Sequence, residues 1–254
     1  MGFIKYGDIP ELDKEEAKKL YISNPAKFYN ERIHTHGDSD RICLNADWPD
    51  YYVKYHYNIL ECAIIDILVN FKIADKKFDV IDVGSGSGHW VEFYRSLFSN
   101  CNRIVGTDIC DIPIKRLINR YWSDTLNNKL NFFVWDVSTD VSNHFNKKYD
   151  VVNAIDVLHF IIDDNKWVNA LKNLSKITKE DGVIIVTEVF GYKTREWGAM
   201  RKQRSYKLWQ KIADDMGMYV DNLRILDWYG GASSNQNMDN IAVLRFKDQM
   251  DKIR

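Results

Sequence analysis

Paired cysteines are missing from this 254-residue chain: Cys43, Cys62, Cys101 and Cys110 form no C-x-x-C motif. Free thiols in a reducing cytoplasm are therefore expected, with Cys101 and Cys110 at most bracketing a strand. No apolar run approaches the ~18 residues of a membrane span, so none is expected. The opening stretch MGFIKYGDIPELDKEEAKK has no apolar core, which argues against a signal peptide. Gly2 invites a myristoylation reading, but Tyr6 stands where that motif needs Ser or Thr. An excess of one charge is also absent. Thirty-five Lys and Arg face 36 Asp and Glu, for a net charge of −1. That balance gives no global attraction to nucleic acid or anionic lipid, although it leaves room for a local patch. No internal repeat or low-complexity segment breaks the chain.

What is present is ordinary globular composition, 45% hydrophobic and 28% charged. From residue 78 onward, short apolar runs alternate with longer amphipathic ones. Strands are expected at 78–83, 103–108, 130–136, 149–155 and 182–190. Helices are expected at 89–99, 112–122, 164–178 and 201–217, with a short helix or turn in DVSNHFN. RILDWY and NIAVLRF close the chain as two strands joined by the loop GGASSNQNMD, too short for a crossover helix, so they pair antiparallel. Apolar strands without clean alternation indicate burial on both faces. The expected fold is α/β: a doubly wound, mostly parallel seven-stranded sheet with an antiparallel last strand. Residues 1–77 differ, being helical and polar with an aromatic cluster of Trp48, Tyr51, Tyr52, Tyr55 and Tyr57. They are expected either to form a helical cap over the ligand edge of a 78–254 domain, or to be a solvated extension whose aromatics pack on the core.

The stretch DVIDVGSGSGHW (79–90) places Gly84, Gly86 and Gly88 directly after the first strand, with Ser85 between them and Asp82 just before. Ligands of doubly wound sheets sit beyond the carboxyl ends of the strands. Glycine in that first turn removes the Cβ that would block a ligand and permits unusual dihedrals. The spacing is not the G-x-G-x-x-G of dinucleotide folds, because His89 stands where the last glycine belongs. A carboxylate here would also repel a diphosphate, but it suits a ligand that carries a cation. No Gly-Lys-Ser/Thr follows, which excludes a P-loop.

With these features the chain resembles the class I S-adenosylmethionine-dependent methyltransferases over residues 78–246. VIDVGSGSG (80–88) corresponds to their first motif. The resemblance implies that Asp108 in IVGTDI, 20 residues past Gly88 and followed by Ile109, binds the ribose hydroxyls. Asp136 in FFVWDV faces the adenine amino group, and Val137 donates its backbone N–H to the ring. Asp156 in NAIDVLHFI lines the methionine end, and DGVIIVTE (181–188) is the fifth strand. The resemblance therefore implies S-adenosyl-L-methionine as cofactor and a Rossmann-like fold. For Asp82, Asp108 and Asp136 a turn-bracing role is the plainer alternative.

Methyl transfer needs alignment and exclusion of water, and a hydroxyl acceptor also needs a base. His159 after the fourth strand and Glu188 at the end of the fifth are the catalytic candidates. His34, His36 and His56 lie in the proposed cap, where hydrogen-bonded or surface roles are the simpler reading. HTHGD (34–38) hints at a metal, but nothing completes a ligand set and no metal is assigned. The place after strand four reads AIDVLHF and lacks the prolines of adenine- and cytosine-amino methyltransferases. No cysteine beyond Cys110 could serve as a cytosine-C5 nucleophile, and the Lys-Asp-Lys-Glu pattern of ribose methylation is not evident. Segment 192–211 holds seven basic residues against one acid, interleaved with Tyr192, Trp197, Tyr206 and Trp209. It reads as a site for an anionic acceptor, as a solvated basic face, or as a stacking surface for RNA. The expected partner is a small-molecule acceptor, a metabolite or glycan, methylated on oxygen or nitrogen. No membrane partner is expected, nucleic acid is disfavoured, and the chain is compatible with a homodimer. An RNA or protein methyltransferase, or a non-catalytic cofactor-binding subunit, remains the alternative.

Overall fold

The computed structural model describes residues 12–37, 39–44, 48–139, 141, 145–197, 200–226 and 239–247. Four helices come first: α1 (Lys14–Ser23), α2 (Pro25–His36), α3 (Asp40–Leu44) and α4 (Asp50–Asn70). Their ends follow from local chemistry. Asp13 and Glu16 form a reciprocal capping box on α1, and Asn24 caps α2 ahead of Pro25 in its first turn. The alternating part follows with β1 (Phe78–Val83), α5 (His89–Leu97), β2 (Cys101–Asp108), α6 (Asp111–Arg120), α7 (Trp122–Leu126) and β3 (Leu130–Val134). It continues through β4 (Tyr149–Ala154), a 3-10 turn (Leu158–Phe160), α8 (Asp164–Lys176) and β5 (Thr178–Val189). A small hairpin of β6 (Arg195–Trp197) and β7 (Arg201–Gln203) precedes α9 (Tyr206–Asp215), β8 (Met218–Leu226) and β9 (Asp239–Phe246).

The main sheet has seven strands in the order β3-β2-β1-β4-β5-β9-β8. The first five are mutually parallel, and β9 runs antiparallel to both β5 and β8. The expected doubly wound sheet with its antiparallel last strand is therefore present, and that strand, β9, lies between β5 and β8. Strand order reverses between β1 and β4, which opens a crevice at their carboxyl ends.

Two apolar layers sandwich the sheet. On one face Val80, Ile104, Val151, Ile185 and Val243 pack against α4 and α5; on the other Ile81, Val105, Val152, Ile184 and Leu244 pack against α8 and α9. The period-2 alternation of buried side chains explains why the strands read as continuous apolar runs. The second half of α4, with Leu60, Ile64, Ile67 and Leu68 buried, shares a core cluster with the strands, while its first half reaches the crevice. Helices α1 and α2 are tied to the carboxyl-end loops. Tyr21 donates its hydroxyl to the carbonyls of Phe160 and Met200, and Asn30 donates to Asp111 at 2.8 Å.

Three expectations shift. Residues 201–203 pair with 195–197 instead of opening a helix. Gln203 and Arg204 are buried there, and Ser205 caps α9 by accepting from the Leu208 N–H at 3.2 Å. The helix then ends before Gly217 at φ +69°, a left-handed terminus. Strand β8 starts at Met218, six residues before the expected RILDWY, because the polar MYVDN stretch pairs along β9 with Met218 and Val220 inward. Strand β3 stops at Val134, since Asp136 turns the chain by accepting from Ser138. DVSNHFN and GGASSNQNMD lie largely outside the described residues.

The wholly buried Trp167 ring stands edge-on to Trp209 at 5.0 Å and beneath the Arg204 guanidinium at 4.4 Å. Trp167→Ala is expected to cost about 3–5 kcal/mol of stability, through the cavity and the lost ring contacts. Equilibrium denaturation measures this; a loss below about 1 kcal/mol contradicts the packing described.

Candidate active site

The glycine turn is built by hydrogen bonds to the neighbouring strand. The amides of Gly84 and Ser85 both donate to the Thr107 carbonyl, at 2.7 and 2.8 Å, and Gly88 N–H donates back to Ser85 at 2.8 Å. This geometry puts Gly84, Gly86 and Gly88 at φ +77°, +47° and +90°. A Cβ on Gly84 would stand 2.4 Å from Val157 Cγ2, and one on Gly88 2.4 Å from Leu117 Cδ2. The glycines thus serve both the left-handed dihedrals and close packing against the loop after β4 and against α6. Above the turn lies α3, whose Cys43 Sγ is 3.2 Å from the place a Gly86 Cβ would take.

The strand tips bring carboxylates to this turn. Asp82 is 1% exposed, and its Oδ1 accepts from Asn153 Nδ2 at 2.8 Å, its register partner on β4. Its Oδ2 is buried with no hydrogen-bond partner among the described residues. Burial, reinforced by the Asp108 charge and partly offset by the Asn153 bond, pushes the Asp82 carboxyl up to about 7. Asp108 accepts from Gly86 N–H at 3.0 Å and from Cys110 N–H at 2.9 Å. Burial raises its pKa while these backbone donors, with that of Ile109, oppose the rise. Asp156 ends the first turn beyond β4 at φ +57°. Its Oδ2 receives His56 Nε2 at 2.8 Å and its Oδ1 receives the Thr187 hydroxyl at 2.8 Å. Burial acts to raise this carboxyl, but the His56 charge and hydrogen bond outweigh it and hold it at about 2.

Asp136 is placed differently. Its Oδ1 accepts from both Ser138 N–H (2.9 Å) and Ser138 Oγ (2.7 Å), bracing its own turn. The turn still joins the crevice wall, since Trp135 N–H donates to the Asp108 carbonyl at 2.8 Å. Val137 is buried beside it, with its carbonyl held by Asn173 at 2.9 Å.

His159 sits in the 3-10 turn after β4, 7% exposed, with no hydrogen-bond partner at Nδ1 among the described residues. Burial pushes its pKa down to about 3; Arg201 and Arg204 push the same way and Asp156 opposes them. The ring is neutral at physiological pH. Glu188 is 1% exposed at the end of β5, and its charge stabilises the buried Arg204. Arg204 also donates to the Ile161 carbonyl at 2.6 Å and to Asp164 at 3.1 Å. Much of the basic 192–211 segment is thus internally engaged: Lys202 also binds Asp164 at 2.7 Å, and Trp209 lies in the core. Tyr192 is 94% exposed.

Sequence reasoning missed the contributions of the N-terminal helices. His56 reaches Asp156, and Tyr57 stacks on His89 with ring centroids 3.6 Å apart. His89 bridges Asp40 at 3.2 Å and Glu61 at 2.9 Å, while Ser87 Oγ also donates to Asp40. No spacing in the sequence signals these contacts; the only trace was a histidine and aromatic cluster ahead of the first strand. His34 and His36 lie exposed in the last turn of α2, and Asp38 lies outside the described residues. Among the described residues no group of three His, Cys, Asp or Glu could hold a metal, and no helix is long and apolar enough to cross a membrane.

The family model described as "Methyltransferase domain" matches residues 56–235. No curated protein matches the chain significantly. Among solved structures, it is similar to an S-adenosylmethionine-dependent methyltransferase from Clostridium acetobutylicum ATCC 824, at 16% identity and a TM-score of 0.57, covering 86% of this chain and 98% of that one. It is also similar to the CurJ carbon methyltransferase, at 14% identity, TM-score 0.59, and 93% and 72% coverage. A third is the N-methyltransferase NodS from Bradyrhizobium japonicum WM9, at 15% identity, TM-score 0.51, and 74% and 97% coverage. At these identities the likeness is one of fold.

Because the Asp82 carboxyl is raised by folding, it opposes folding as pH climbs from the unfolded value near 4 through about 7, and the penalty is complete above that. Asp82→Asn is expected to stabilise the ligand-free protein at pH 8, on the order of 3 kcal/mol, with the gain vanishing towards pH 4. Thermal unfolding across this pH range measures it, and a gain independent of pH contradicts the assignment.

Proposed function

The chain belongs to the methyltransferase domain family, whose model spans residues 56–235, and from that premise we propose that it transfers a methyl group from S-adenosylmethionine to an oxygen or nitrogen of a small anionic acceptor. The observation that carries the reading is the meeting of a left-handed glycine turn with buried carboxylates at the switch point of the sheet. Side chains at Gly84 and Gly88 would clash with the crevice walls, so the turn keeps its backbone bare for a ligand. The donor set is acidic, which fits a cationic nucleoside and not a diphosphate.

Each Asp108 oxygen already accepts one backbone N–H and keeps a lone pair for a ribose hydroxyl. Asp82 and Asp156 would face the cationic methionine end, with Asp136 and Val137 on the adenine side. When bound, S-adenosylmethionine supplies a methyl carbon made electrophilic by the adjacent sulfonium. The protein's part is to align the acceptor, exclude water and take its proton. We assign proton removal to His159, whose Nδ1 has no partner among the described residues and whose basicity rises once an anionic acceptor offsets the Arg201 and Arg204 charges; Glu188 supports it indirectly by holding Arg204. Arg201 and Arg204 press a positive field on the His159 ring, which favours a carboxylate, phosphate or acidic sugar in the acceptor. We place the enzyme in the cytoplasm, acting on a soluble acceptor.

Asp82 is half-protonated near pH 7, and a cationic ligand beside it lowers its pKa. Binding of S-adenosylmethionine at pH 7 is therefore expected to release up to about half a proton, read by calorimetry in buffers of different ionisation enthalpy. Absence of binding, or release that persists in Asp82→Asn, contradicts the proposal. His159→Ala is expected to slow cofactor turnover about 100-fold or more, with cofactor affinity nearly unchanged. Equal turnover removes His159 from the mechanism.

A further inference from the structure

We propose that His56 of α4 is a positioning residue for the methionine end of the crevice: its hydrogen bond holds the Asp156 turn in the left-handed form that closes against Gly84. The proposal rests on the reading of Asp156 as a cofactor-facing group.

Asp156 is one of three described non-glycine residues with positive φ, together with Lys72 and Asn128. Asp tolerates that conformation better than most L-residues, but it still carries a cost that neighbouring contacts offset. Two neighbours do so here. Thr187 on β5 accepts the Asp156 N–H at 2.7 Å and donates its hydroxyl to Oδ1 at 2.8 Å, securing the backbone and one carboxylate oxygen. The second oxygen takes its donor from His56, 100 residues away in the chain. The His56 ring is 3% exposed and set between Trp48 at 5.5 Å and Tyr57 at 5.6 Å, so its direction is fixed by packing.

The next residue makes the turn part of the crevice. Val157 Cγ2 lies where a Gly84 Cβ would clash, 2.4 Å away, so the side chain next to Asp156 packs directly on the glycine turn. A contact sequence therefore runs from His56 through Asp156 and Val157 to Gly84. Loss of the His56 donor leaves Asp156 Oδ2 short of a partner in a half-buried site and frees the turn to leave its left-handed form. The methionine end loses its wall and its carboxylate direction. The ribose end, held by Asp108 through Gly86 and Cys110, is built from other bonds and stays intact.

The test compares two probes by calorimetry: S-adenosylhomocysteine, and 5′-methylthioadenosine, which lacks the amino-acid end. His56→Phe keeps a ring without the donor. It is expected to weaken S-adenosylhomocysteine binding about tenfold or more, while methylthioadenosine stays within about twofold. His56→Gln, whose amide can donate, is expected to recover most of the loss. Should His56→Phe prove unstable in a thermal melt, His56→Asn, too short to reach Asp156, reads the same ratio. Equal weakening of both probes, or of neither, overturns the proposal, as does failure of Gln to rescue. Asp108→Ala serves as the control and is expected to weaken both probes. Wild-type protein that binds neither probe overturns the cofactor reading as well, whereas normal wild-type and Asp108→Ala behaviour with an unselective His56→Phe overturns this inference alone.

Discussion

Negative charge buried at the carboxyl ends of parallel strands is the constraint around which this molecule is arranged. Removing a carboxylate from water is costly unless donors or a cation replace the hydration. Asp108 meets the constraint with backbone amides and Asp156 with His56 and Thr187. Asp82 meets it only in part, with one amide donor and a pKa drawn up to about 7. That deficit weakens the ligand-free fold, and in the function proposed above it is what a cationic nucleoside would relieve.

The N-terminal helices complete the site. Helix α4 contributes its second half to the sheet's apolar layer and its first half to the crevice, where His56 grips the loop after β4. Tyr57 next to it, and Glu61 about one turn further along, grip His89 at the start of α5. A single rigid element thus contacts both walls of the switch point. Asp40 of α3 adds a third tie across Ser87 and His89, bringing Cys43 over the glycine turn.

The segment after β5 follows a different logic. The basic segment after β5 reads in sequence as a charged surface, yet Arg204 and Lys202 converge on Asp164, and Arg204 is buried against Trp167. Part of that charge holds the β6–β7 hairpin in place. What reaches His159 is its field, which adds to the larger effect of burial in keeping the imidazole neutral.

Several features were legible from residues alone because they are local. The strand–helix alternation, the glycine turn after β1 and the acids at successive strand tips depend on short-range patterns of burial and dihedral preference. Strand ends in polar stretches were not legible: MYVDN joins β8 because β9 offers a pairing edge, and Arg201–Gln203 forms a hairpin because Gln203 and Arg204 are buried. Asp136 looked like its fellow acids, yet Ser138 two residues on takes its oxygen. The sequence by itself determined the order of elements and the carboxylates at their tips, since periodicity and glycine chemistry act within a few residues. Only the tertiary structure decided which donor each carboxylate meets, because the partners His56, Asn153 and Thr187 lie 31 to 100 residues away and are brought near by packing alone.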